Sequence, residues 1–432
     1  MVRRGYQRDP VQPDDATTLR LVLAGLPSVG ERRLAVRVTA DALRQIRGGH
    51  PWVYEGSITS ISHDGAAGDL AVIFDAKRTF AAIGLYDPDS PIAIRVLHVG
   101  KPRRVDRGLW EERIESAEAL RRSLVAAEPG DRPAYRLING ENDRLPGCVV
   151  DRYADTLVIK LYSPVWWPHL EVVVATLLER TDASAIVLRL ARNVASGETF
   201  GLADGDVIAG HLDDGPVRFT EGGLNFSADV RSGQKTGHFL DQRANRRRVG
   251  ELAAGCDVLD LFASTGGFSV HAAAGGARSV HSVDLSAPTL AAATANMALN
   301  ADRPEVAACR HTTQVADAFE AMSALARSGT AYDLVIIDPP SFAQKQTSVN
   351  GAIRAYERLT HLAMPLVRPG GVLVQASCSS RVPADRFYDA VLGAADLAGD
   401  DLVELFRTGH DIDHPVTFPE GAYLKAGFWR VG

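Results

Sequence analysis

The stretch VLDLFASTGGFSVHAA, residues 258–273, decides the fold. Its apolar start is a buried strand, and its second half has the character of a helix. Between them, Gly266 and Gly267 let the backbone turn sharply and come close to a ligand. Asp260 ends the strand. Twenty-four residues later Asp284 ends a second one, SVHSVDLS. An acidic residue there can hold a ribose hydroxyl pair. The loop is neither GxGxxG nor GxxxxGK[ST], so neither a dinucleotide nor a phosphate cradle fits. An adenosine without a pyrophosphate fits, as in S-adenosylmethionine. Phe262, Thr265, Gly266 and Gly267 then line the cofactor turn. The plain alternative is a βα turn with incidental glycines.

Working outward, APTLAAATANMALN (287–300) has helical character, and YDLVIIDPPSF and GGVLVQASCSS are further strands. Strands alternating with helices predict a doubly wound, mainly parallel sheet, a Rossmann-like α/β domain. VADAF (315–319) sets Asp317 near the adenine, although Asp is also a common helix cap. Two prolines cannot continue a central strand, so Pro339 and Pro340 force an exit that holds Asp338 over the crevice. Asp338 and Pro339 join the cofactor set. Asp338-Pro339-Pro340 resembles the Asx-Pro-Pro-aromatic motif of amino-group methyltransferases, whose ring stacks on a flipped base. Here Ser341 takes the aromatic position and Phe342 follows one place late. The sequence therefore keeps open a purine amino or ring-nitrogen methyltransferase acting through this motif.

The last of these strands places Cys378 on the same edge as Asp260, Asp284 and Asp338. A thiolate there has a use. Carbon-5 of a pyrimidine is a poor nucleophile until a thiolate adds at carbon-6. Cys148, Cys256 and Cys309 have blander settings. The four cysteines show no CxxC or Cys/His ligand spacing, which argues against disulfides and structural zinc.

The 432 residues are too many for one core. With 46% hydrophobic and 23% charged residues the composition is that of a soluble protein. No run is long enough for a membrane span, and no signal peptide is convincing, so the expected residence is the cytoplasm. The net charge of −6 confines any RNA affinity to local patches. One such patch is 231–250, with six Lys/Arg against Asp241. Gln234, Lys235 and Arg243 are its candidates for RNA contact, and a solvated helix face is the alternative for Arg246 to Arg248. Residues 1–33 read as a mobile leader, 34–105 as a small β-rich domain, 106–215 as a small α/β module, and 216–432 as the doubly wound domain. The C-terminal run 414–431 reads either as a hairpin on the sheet edge or as a base contact by His414, Phe418 or Lys425.

HPWVYEGSI (50–58), LPGCVVDRYADTLVIK (145–160), SGQKTGHFLDQRANRR (232–247), VLDLFASTGGFSVHAA, DPPSF, SCSS (377–380) and DHPVTFPEGAYLKAGFWRV (413–431) together resemble the bacterial class I S-adenosylmethionine-dependent 23S rRNA cytosine-5 methyltransferases. The resemblance implies a PUA RNA-binding domain over 34–105, Cys378 as nucleophile, and Asp338 touching the base or moving a proton. It implies that Phe342 contacts the substrate. The implied partner is large-subunit rRNA or a ribosomal particle, with no metal and no membrane, and a homodimer is left open. A binding protein that has lost catalysis is the rival of another class. The cofactor loop departs from the family, with Ala263-Ser264 where Cys-Tyr is common.

Overall fold

The computed structural model describes residues 23–343 and 346–432. Most of the leader expected over 1–33 lies outside the described residues. The chain divides into two compact units. The first takes residues up to Leu120 with Arg136–Val217 and Asp229–Gly237; the second takes Arg121–Tyr135, Arg218–Ala228 and His238–Gly432.

The first unit holds two sheets. One has six strands, β1 (Leu34–Val38), β2 (Trp52–Tyr54), β3 (Ile58–Ile61), β4 (Leu70–Phe74), β5 (Phe80–Tyr86) and β6 (Ile92–Val99), ordered β2-β6-β5-β4-β1-β3. Leu34, Val36, Ala71, Ile73 and Ile94 pack beneath α1 (Ala40–Arg47), which buries Ala42 and Ile46. The helix starts where the Thr39 side chain accepts from the Ala42 amide. After α2 (Arg107–Ala127) comes a five-stranded sheet, ordered β11-β10-β9-β8-β7. Its strands are β7 (Ala134–Asn139), β8 (Cys148–Tyr153), β9 (Thr156–Leu161), β10 (Ala185–Leu190) and β11 (Val207–Gly210), with α3 (Leu170–Arg180) between β9 and β10.

Beyond these come the hairpin of β12 (Val217–Glu221) and β13 (Leu224–Ala228), all but Val217 in the second unit, and then α4 (Arg243–Leu252). The sheet that follows comprises β14 (Asp257–Leu261), β15 (Ser279–Asp284), β16 (Arg310–Val315), β17 (Tyr332–Ile337), β18 (Val367–Ser377), β19 (Leu402–Thr408) and β20 (Lys425–Val431). The order is β16-β15-β14-β17-β18-β20-β19. The strands from β16 through β18 pair in parallel, while β20 is antiparallel to both its neighbours. The longer helices between strands are α5 (Gly267–Ala274), α6 (Ala287–Ala298), α7 (Ala318–Arg327), α8 (Val349–Ala363) and α9 (Ala384–Ala398), with a short one at Pro304–Ala308.

Both faces of this sheet are covered, as a parallel sheet requires. Leu259, Leu261, Val335, Ile337 and Leu373 join one core, while Val258, Leu334, Ile336, Val372 and Val374 join the other. The alternation is the period-two rule of the strand. The hairpin expected on the sheet edge over 414–431 is corrected: only β20 forms there, and it runs between β18 and β19. No helix among the described residues is long and apolar enough to cross a membrane.

Candidate active site

The chain leaves β14 for β15 and β16 on one side, then crosses back to β17 and β18 on the other. Such a reversal opens a crevice at the carboxyl ends of the strands. In register, Leu261 faces Val283 and Ile337, and Ile337 faces Gln375. Phe262, Asp284, Asp338 and Cys378 therefore leave the sheet from one edge.

The turn after β14 is bent hard. Phe262 (φ 62°), Ser264 (φ 49°) and Gly266 (φ 76°) are all left-handed. The first two have side chains and store strain, a feature found at functional turns. Asp284 helps hold the turn: its carboxylate accepts from the Ser264 amide (2.9 Å) and the Ser286 amide (2.9 Å). A Cβ on Gly266 would lie 2.8 Å from the Ala293 Cβ, and one on Gly267 would lie 2.7 Å from Arg246 Cδ. The two glycines thus let α5 begin against α6 and α4.

Asp260 is wholly buried. Its Oδ2 accepts from Ser269 Oγ at 2.6 Å, while Oδ1 has no hydrogen-bond partner among the described residues. Burial, with the nearby Asp338 and Asp284 charges, pushes its carboxyl up to about 7.

Asp338 is aimed by a relay. Gln242 Nε2 donates to Asp338 Oδ1 at 2.8 Å, Asn245 Nδ2 donates to Gln242 Oε1, and Thr408 Oγ1 donates to Asn245 Oδ1. The Cys378 thiol faces the carbonyl of Pro339, with Sγ at 3.9 Å. The two loops are also joined by Ser341 Oγ and Ser379 Oγ, 2.9 Å apart. The Tyr356 hydroxyl bonds Ser377 Oγ (2.8 Å) and Ser379 Oγ (3.2 Å) on either side of the cysteine. Sequence reasoning missed Gln242, Asn245 and Tyr356; only the structure brings these polar residues to the motif loops.

The remaining expected site residues have the following settings. Asp317 caps α7, accepting from the amides of Phe319 (2.9 Å) and Glu320 (3.2 Å). Phe342 packs on Tyr356 with ring centres 5.4 Å apart. The Thr265 hydroxyl is 3.4 Å from His238 Nδ1. Gln234 and Lys235 belong to the first unit, in a turn closed by the Gly237 amide on the Gln234 carbonyl. There Lys160 Nζ donates to the Lys235 carbonyl at 2.9 Å.

The basic stretch is corrected. Arg243 is buried and pairs with Asp413, so its guanidinium is turned away from any phosphate. Arg246 is buried too, in a bidentate pair with Glu221, both bonds at 2.6 Å. Burial works against ionisation of Glu221, but Arg246 and His271 hold it well below the usual carboxylate range. Arg247 and Arg248 are exposed and pair with Glu251. At the C-terminus His414, Phe418 and Lys425 are all buried.

This geometry brings a glycine turn, three carboxylates and a thiol toward one edge of the sheet, and comparison with known proteins gives the class. Residues 160–404 match the S-adenosylmethionine-dependent methyltransferase family, and residues 36–98 match the PUA-like domain. The chain is 47% identical over 408 residues to a ribosomal RNA large subunit methyltransferase of Deinococcus radiodurans, covering 94% of this chain and 99% of that one. It is 36% identical over 385 residues to ribosomal RNA large subunit methyltransferase I of Shewanella amazonensis, covering 88% and 95%. A candidate S-adenosylmethionine-dependent methyltransferase of Streptococcus mutans has the same fold, with a TM-score of 0.77 at 21% identity over 92% of this chain and 99% of that one. A second crystal structure, complexed with SAH, has a TM-score of 0.76 at 21% identity, again over 92% and 99%. The chain belongs to the S-adenosylmethionine-dependent methyltransferases with an N-terminal PUA-like domain.

The residues present fit that cofactor. The turn 262–267 would let backbone approach it, and Asp284 ends β15, where an acidic residue can hold a ribose hydroxyl pair. The unpartnered oxygen of Asp260 would accept a hydrogen from its cationic end. Bound there, S-adenosylmethionine supplies an electrophilic methyl group on a sulfonium.

Proposed function

We propose that this chain methylates carbon-5 of a cytidine in large-subunit ribosomal RNA, in the cytoplasm, through a covalent adduct with Cys378. The observation that carries the reading is the meeting of two loops: the Cys378 thiol lies 3.9 Å from the Pro339 carbonyl, beside Asp338. The Ser341–Ser379 bond supports it further, because the residue after Pro-Pro ties down the cysteine loop instead of offering a ring to a base. The relatives' names supply the substrate class.

The thiolate of Cys378 adds to carbon-6, forming the S–C6 bond. The electron pair of the C5–C6 double bond moves onto carbon-5, which becomes nucleophilic and takes the methyl group. A base then removes the carbon-5 proton, the double bond returns, and the S–C6 bond breaks to release the thiolate. Asp338, oriented by Gln242, is positioned to contact the base or assist the proton. Asp260, Phe262, Thr265, Gly266, Gly267, Asp284, Asp317 and Pro339 form the cofactor side. Gln234, Lys235 and Phe342 remain the substrate candidates. Residues 34–105 serve as the RNA-binding domain, 106–215 as the middle domain and 216–432 as the methyltransferase domain.

The test is a nucleoside analysis. Ribosomal RNA from cells lacking this protein is incubated with methyl-labelled S-adenosylmethionine and wild-type or Cys378→Ala enzyme, then digested. Label in 5-methylcytidine with wild type, and a loss of at least about 10³-fold with the variant, is expected. Label in a methylated purine, with Cys378→Ala active, would contradict the reading.

A further inference from the structure

Lys425 is a buried cation without a carboxylate. It is 4% exposed, and no ion pair joins it to an acidic residue among the described residues. Its ammonium donates to three neutral carbonyls, those of Ser379, Val382 (2.7 Å) and Tyr423 (3.2 Å). Two of these belong to the loop that follows Cys378. In the β18–β20 register Lys425 also faces Ser377, the residue before Cys378. The ammonium therefore holds the loop after the cysteine, while the backbone pairing of the same residue holds the strand before it. A buried charge that finds only neutral acceptors is costly to keep, and this one lies beside the thiol.

We propose that Lys425 is a positioning residue for Cys378: it fixes the 378–382 loop and supplies the positive charge that stabilises the Cys378 thiolate. This rests on the covalent reading of Cys378. Burial pushes the lysine down to about 8, and the charge of Cys378 opposes that shift. The interaction is mutual, so an ammonium there favours the thiolate equally.

Titratable groups that face the pair among the described residues include His410 and Tyr356. His410, in the segment after β19, senses Lys425, but burial pushes it down to about 4 and leaves it neutral. Tyr356 of α8 senses Cys378 and Asp338, and burial raises it. Asp338 follows β17, next to the Pro339 whose carbonyl faces the Cys378 thiol. Asp241 lies near His410 and accepts from the Tyr423 hydroxyl at 3.0 Å.

The test is the pH dependence of iodoacetamide alkylation at Cys378 in the full-length protein, located by peptide mass spectrometry. In wild type the midpoint is expected below the ~8.5 of an ordinary cysteine. Lys425→Met should raise it by about one unit or more and slow alkylation at pH 7 about tenfold, and Lys425→Arg should restore it. A merely structural role would change the plateau rate and leave the midpoint in place, which would overturn the proposal. Should Lys425→Met fail to fold, a wild-type midpoint at or above ~8.5 would overturn it alone. The activity of Cys378→Ala judges the covalent reading separately, and the alkylation midpoint judges the Lys425 pairing whichever way that falls.

Discussion

One strand, β14, carries two aspartates with opposite fates. Asp257 at its start is answered on every side. Arg278 binds it at 2.8 Å, Ser279 Oγ at 2.8 Å and Arg368 at 3.1 Å, and both arginines also reach Asp333. The Arg278 hydrogen bond, first among these, holds Asp257 well below the usual carboxylate range. Asp260, near the other end of the strand, is held only by Ser269, through its hydroxyl and its backbone amide; one carboxylate oxygen has no partner among the described residues, and burial pushes the group up to about 7. The amino-terminal end of the sheet is electrostatically complete. Toward the carboxyl-terminal end Asp284 and Asp338 have donors, but the buried Asp260 keeps one oxygen without a partner among the described residues, and that end is where α/β sheets bind ligands. The comparison teaches that incompleteness, more than charge itself, marks the functional end.

The largest stability effect expected from this contrast is at Asp260. Its folded pKa lies above its unfolded value, so folded protein holds a proton that the unfolded chain gives up. Stability therefore falls as pH rises from about 4 to about 7, and a shift of about three units corresponds to at most about 4 kcal/mol. Asp260→Asn should remove most of this slope, read as urea unfolding at pH 5.5 and pH 8, and should weaken S-adenosylmethionine binding by calorimetry. An unchanged slope in the variant would break the comparison.

Gly266→Ala should cost about 1–3 kcal/mol, since φ is 76° and the new Cβ meets Ala293. Cofactor affinity should fall with it. The smallest effect is at Asp257. Asp257→Asn should lower stability by about 1 kcal/mol, the scale of a partly exposed ion-pair network, with cofactor affinity unchanged. Because the Asp257 pKa is depressed, its contribution is present above the ordinary carboxylate range and is lost as pH falls through the folded value.

Much of the sheet was legible because β14, β15, β17 and β18 are apolar runs closed by Asp, Pro or a small polar turn. The edge strand β16, Arg310–Val315, was not, because its largely exposed face carries Arg, His, Thr and Gln instead of an apolar pattern. Asp260, Asp284, Asp338 and Cys378 were read as strand ends of one parallel sheet; Asp284, Asp338 and Cys378 do stand at strand ends, while Asp260 lies one residue inside β14. The basic stretch misled because charge in a sequence does not say which way a side chain points. Arg246 and Glu221 are 25 residues apart, and their pairing depends on the β12–β13 hairpin meeting α4. The Gln242 relay was equally hidden, since its members come from three separate segments.

The most direct test of the covalent reading uses large-subunit rRNA transcribed with 5-fluorocytidine. Fluorine at carbon-5 cannot leave as a proton does, so the adduct persists after methyl transfer. With S-adenosylmethionine present, a denaturation-resistant protein–RNA complex is predicted, linked through Cys378 by peptide mass spectrometry and absent with Cys378→Ala. Methyl transfer to unfluorinated RNA by Cys378→Ala at the wild-type rate, with no trapped complex for either protein, would contradict it.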